Sequence, residues 1–114
     1  MFATIKTKRG ENMDIIVDKL YEMKPRLGMY LGIKSLTLLK VYIEGYIARQ
    51  IEFDATFKST YWGFTEYVQK HFNINHNRNW LSIILFFSPN EEAAVDLFYE
   101  LLDEFLQTSI TAEK

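Results

Sequence analysis

The sequence predicts an all-α fold, a single-domain bundle of about five helices. Three observations predict it. Apolar residues recur at threes and fours over several long stretches, the spacing of one buried helical face. Clusters of Gly, Pro and Asn separate those stretches. The chain has 114 residues, 48% hydrophobic and 16% aromatic, which suits one core burying roughly 65% of the unfolded surface but not two.

The elements follow in order. Residues 1–11 are polar and basic without periodicity and read as an N-terminal arm; the helical domain spans 12–107, and 108–114 form a C-terminal tail. Asn12 is the expected N-cap of the first helix, with Asp14 in its first turn. Ile16, Leu20 and Met23 then share a face, and Pro25 is expected to end the helix at Lys24. Ser35 caps a second helix whose Leu36, Leu39, Ile43, Tyr46 and Ile47 recur down to Phe53. Gly45 inside it, where glycine costs about 1 kcal/mol against Ala, suggests close approach of another group. A third helix covers Thr60 to Phe72, burying Trp62 or Phe64 with Tyr67, Val68 and His71 or Phe72. "NINHNRN" is a loop, because Asn side chains compete for backbone hydrogen bonds. The apolar run "NWLSIILFF" reads as a short buried helix, with a short strand over 80–87 as the alternative. Helix is preferred because no second strand exists to pair with it. Ser88-Pro89-Asn90-Glu91 reads as a capping box, with Pro at N1 and Glu at N3. It opens a last helix with Ala94, Leu97, Phe98, Leu101, Leu102 and Phe105 on one stripe. Glu92, Asp96, Glu100, Asp103 and Glu104 fall opposite.

Charge is distributed unevenly. Residues 1–49 carry nine Lys/Arg against five Asp/Glu, while residues 81–114 carry one Lys against seven acids, a net −6 within a total of −2. The acidic third argues against nucleic-acid binding there and for a basic partner. No cysteine is present, which excludes disulfides, thiolate metal sites and cysteine nucleophiles. The N-terminal stretch lacks the pattern of a signal peptide, and the longest apolar run, Ile83–Phe87, cannot span a bilayer. A cytoplasmic protein without membrane contact is expected.

Catalytic signals are thin. His71 and His76 are five apart, not the i, i+4 spacing of a helical metal pair. Asp14, Asp18 and Glu22 lie at i, i+4, i+8 on the first helix; they could hold a metal, but the solvated reading is preferred. "KPRLGMYLG", Lys24–Gly32, reads as a structural turn shaped by Gly28, Met29, Tyr30 and Gly32, its apolar residues folding back onto the core. Contact with a partner through Lys24, Arg26 or Tyr30 is secondary. Its wording is similar to a turn in the ATPase domain of type II topoisomerases, but the magnesium-holding Asn is missing beside Glu44, and no Walker loop is formed. No cofactor, no metal and no enzymatic activity are expected.

Two blocks carry a wider likeness: "KPRLGMYLG-KSLTLL-VYIEGY-A" over Lys24–Ala48, then "NWLSIILFF" and "EEAAVDLFYELLDEF" over Asn79–Phe105. They resemble a family of small bacterial immunity proteins of contact-dependent growth inhibition and polymorphic toxin systems. The sequence departs from the family's Arg-Pro-Gly by placing Leu27 between Arg26 and Gly28. The resemblance implies that Gly28, Met29, Tyr30, Gly32, Ser35, Leu36, Gly45 and Tyr46 make the fold. It also implies a non-enzymatic protein that binds and neutralises a cognate toxin, a nuclease with a basic cleft. Glu92, Asp96, Tyr99, Glu100 and Asp103 are the expected contact surface, with Asp14, Asp18 and Glu22 as the fallback. The alternative is a regulatory or scaffold module unrelated to any toxin.

Overall fold

The structure, a computed structural model, describes residues 14–74 and 77–112, the side chains of 109–112 excepted. Helix α1 spans Ile15–Met23 and buries Ile16, Val17, Leu20 and Met23. Its N-cap is Asp14, whose Oδ1 accepts from Val17 N–H at 3.3 Å. Asn12, the expected cap, lies outside the described residues, as do the arm over 1–11 and His76. Asp14 also accepts from Ser59 Oγ and from Thr60 N–H, both at 2.8 Å. One carboxylate therefore caps its own helix and fixes a turn 45 residues away in sequence.

Pro25 does not stop the chain from coiling. α-Helical bonding ends at Met23, and Lys24–Arg26 continue as a 3-10 turn with Pro25 in its first positions, where the missing N–H has no partner to lose. Helix α2, Leu27–Leu31, follows directly. The segment read as a turn is thus mostly helical. Leu27 is the residue driven into the core, whereas Met29 is 74% exposed. Tyr30 and Leu31 lie half-buried against the core. Gly32 closes α2 at φ +88°, its N–H donating to Gly28 O at 2.8 Å. Left-handed φ of this kind favours glycine.

Helix α3, Leu36–Phe53, starts where expected, with Ser35 Oγ accepting from Leu38 N–H at 3.2 Å. Leu36, Leu39 and Ile43 are buried. Gly45 is exposed, and a Cβ there would meet nothing within 4 Å; the expected close approach does not exist among the described residues. A 3-10 turn, Thr60–Gly63, leads into α4, Phe64–His71. Tyr61, Phe64 and Val68 are buried, Trp62 and His71 are exposed, and Tyr67 and Phe72 lie between. The segment around 80–87 is helical: α5 spans Trp80–Phe86 and is capped by Asn79.

Helix α6, Glu91–Ala112, runs past residue 107, where the sequence placed the domain's end. Asn90 opens it, its side chain accepting from Ala93 N–H at 2.8 Å. Ser88 instead donates to Ile84 O at 2.7 Å, closing α5, so Pro89 precedes the helix rather than starting it. The capping box fails because Ser88 is already used by the preceding helix. α6 is the axis of the bundle, with α3, α4 and α5 packed on it. Phe64 sits at the centre, its ring 5.4 Å from Phe98, 5.6 Å from Trp80 and 5.6 Å from Phe105. Such edge-to-face pairs add to the burial energy of the rings. Trp80 Nε1–H donates to Tyr61 OH at 2.9 Å, and among the described residues no buried side-chain polar atom is left unpaired. An all-α, single-globule bundle is the result.

Candidate functional site

The 3.6-residue period of α6 puts Glu92, Asp96, Glu100, Asp103 and Glu104 outward, and all five are exposed. They are not equally available. Lys34 Nζ pairs with Asp96 at 2.9 Å. Tyr21 OH donates to Asp103. Tyr67 OH donates to Glu104 Oε1 at 3.1 Å, and His71 Nδ1 lies 3.9 Å from the same oxygen. Glu92 and Glu100 hold no partner among the described residues. They are two helical turns apart, about 12 Å along the axis.

Tyr99 departs from its expected place. It is 3% exposed, and its hydroxyl donates to Leu20 O of α1 at 2.6 Å. Burial pushes the phenol pKa up. It cannot serve as an exposed anchor; α1 closes over that flank of α6 and takes the ring into the core. Lys24 Nζ lies 5.3 Å from the ring centroid, a cation–π distance. A groove of about 350 Å³ results, with Lys24 and Lys34 on one side, Asp96, Glu100 and Asp103 on the other, and Tyr99 in its wall. Its walls are the start of "KPRLGMYLG", Lys34 just beyond that segment, and the acidic helix. The acidic face is therefore edged by lysines on one side.

The fallback carboxylates are committed elsewhere. Asp14 is the double cap described above. Glu22 accepts from Tyr30 OH at 2.9 Å and pairs with Lys19 at 3.3 Å; its hydrogen bond holds the Tyr30 pKa up. Asp18 is also engaged. No cluster of three metal-ligating side chains occurs among the described residues. Lys19 lies 5.7 Å from the Tyr30 ring and 5.3 Å from the Tyr46 ring, which gives the two motif tyrosines a shared structural contact. No helix among the described residues is long and apolar enough to cross a membrane.

Two features escaped the sequence. Glu91 reaches across to α3, accepting from Thr37 N–H at 3.0 Å, Thr37 Oγ1 at 2.7 Å and Ser35 Oγ at 3.1 Å. The Thr37 backbone bond, first among these, holds its pKa below the usual carboxylate value. The second is an exposed pair of rings, Phe86 at 73% and Phe87 at 45%, counted in the sequence as part of a buried run. The helical period carries the signal for Phe86, which falls opposite the buried Trp80, Ile83 and Ile84, whereas Phe87 lies just past the end of α5, where Ser-Pro-Asn follows. Comparison with protein-family models, curated proteins and solved structures returns no match.

Proposed function

We propose that this chain is a non-enzymatic, cytoplasmic immunity protein that binds a cognate bacterial toxin, a nuclease with a basic substrate cleft, and covers that cleft. The observation that carries the reading is the outward face of α6, where Glu92 and Glu100 hold no partner among the described residues and stand beside three further carboxylates. A row of carboxylates on a rigid helix presents charge as a phosphate backbone does. Fields of this kind raise association rates toward an opposite charge by about 10–10³. Lys34 bound to Asp96 supplies an exchangeable pair, since an arriving cation can take the carboxylate and release the lysine. The sequence resemblance points to the same class of partner.

The test is co-purification with the product of the adjacent gene, followed by a nuclease assay with and without this protein. Capture and inhibition support the reading. The double change Glu92→Lys and Glu100→Lys is expected to slow association at least tenfold at low salt and to reduce its salt dependence. Unchanged association sinks the assignment of this face. A second reading, a scaffold module, is favoured by the outward side of α3, where Leu38, Val41, Gly45 and Ala48 are all exposed. An adjacent gene that encodes no toxin, with complexes that instead require α3, decides for it.

A further inference from the structure

The reading above lacks an apolar centre. Charge sets rate and specificity, whereas tight complexes rest on a few desolvated aromatic or apolar anchors, and Tyr99 is buried. Phe86 and Phe87 supply a candidate at the C-terminal end of α5. Their centroids are 5.0 Å apart with the rings perpendicular. Phe87 stacks on Phe72 at 4.3 Å and 8°, and Phe72 meets His71 at 4.7 Å. His71 in turn lies 3.9 Å from Glu104. These distances form an unbroken surface path from two exposed phenylalanines to the acidic face of α6. Lys70, beside His71 in sequence, is paired with Glu66 at 3.4 Å, and Arg78, before α5, donates to Ser82 Oγ at 3.4 Å.

Single exposed apolar residues need no explanation, but a contiguous patch on a charged rim marks an interaction site. Phe87 is held by its stack on Phe72, so the outer ring of Phe86 is presented on a fixed base. We propose that this aromatic corner is the apolar anchor of the partner contact. It seats an aliphatic side chain or the flat face of an arginine on the toxin, while Glu104 and the carboxylates beyond it take the flanking cations. The proposal rests on the immunity reading and commits to the same basic partner. Complementarity of charge selects that partner: the patch opens onto carboxylates at its α6 border, so a purely apolar or acidic surface fits it less well.

The experiment measures binding kinetics of the catalytically inactivated toxin domain encoded beside this gene, against wild type, Phe86→Ala, Phe86→Tyr and Glu100→Lys. Phe86 is largely exposed, so Phe86→Ala is expected to keep its thermal midpoint and weaken Kd about 30-fold or more, the threshold of an interface hot spot. The loss should fall on the dissociation rate with salt dependence unchanged, and Phe86→Tyr should retain most of the affinity. Full affinity in Phe86→Ala with weakened Glu100→Lys overturns the anchor and leaves the immunity reading standing. Toxin bound equally well by all four overturns both placements. No binding of the toxin by wild type overturns the anchor together with the reading beneath it.

Discussion

Replacing Glu91 by alanine is expected to destabilise the fold by about 2 kcal/mol at neutral pH. The carboxylate accepts three hydrogen bonds at the start of α3, from Thr37 N–H, Thr37 Oγ1 and Ser35 Oγ. Loss of an N-cap contact costs about 1 kcal/mol. Removal of a negative charge from a helix N-terminus adds about 0.3–1 kcal/mol. The buried Ser35 hydroxyl (4% exposed) loses an acceptor but still caps Leu38, which limits the remainder to a few tenths. For a domain of this size the thermal midpoint should fall by roughly 8–12 °C. Because hydrogen bonding holds the Glu91 pKa down, its stabilisation is fully present above the unfolded carboxylate pKa and is lost as pH falls through the folded one. Urea unfolding followed by circular dichroism at pH 7 and pH 3 should show a gap between wild type and Glu91→Ala that shrinks in acid. A gap below about 0.5 kcal/mol at pH 7, or one of equal size at both pH values, would refute the inter-helix cap as an energetic contact.

Two glycines should respond to alanine in opposite directions. Gly45→Ala is expected to stabilise by about 0.5–1 kcal/mol, since the site is helical and open, whereas Gly32→Ala should lose about 1–2 kcal/mol at φ +88°; urea midpoints of both variants check the contrast. Leu27→Ala empties a buried position and should cost about 2–4 kcal/mol, which differential scanning calorimetry would register as the largest of these losses.

Local periodicity made much of the fold legible. The faces of α1 and α3, the Ser35 cap and the outward carboxylates of α6 are all set by spacing within one helix. What stayed hidden depends on a second segment. The wheel of α6 could not show that α1 covers its flank and buries Tyr99, because that arc widens only when Leu20 offers its carbonyl. Glu91 was read as a local capping residue because its target, Thr37, is 54 positions away. The end of α1 before Pro25 was legible, whereas the 3-10 turn and short helix that carry the chain on were not, because a 3-10 turn accommodates Pro25 without leaving the helical region. Of the candidate site, the carboxylates were legible, whereas their partners Lys34, Tyr21 and Tyr67 were not. Within the aromatic corner, the exposure of Phe86 follows from its phase on α5, opposite Trp80, Ile83 and Ile84, whereas that of Phe87 depends on the helix ending just before it, which an unbroken apolar run does not mark.

The cross-helix caps have a consequence for the order of events during synthesis. Glu91 completes the beginning of α3, and Tyr99 donates to a carbonyl in the last turns of α1. Both residues sit on α6, which is translated after the helices they complete. A nascent chain that has released only α1 to α5 holds unfinished ends on two helices and lacks the Phe98 and Phe105 rings that surround Phe64. Such a chain stays open to proteases and chaperones until α6 leaves the ribosome, after which ends and core close together. Products truncated before residue 91 should therefore be cleared rather than accumulate as partly folded competitors.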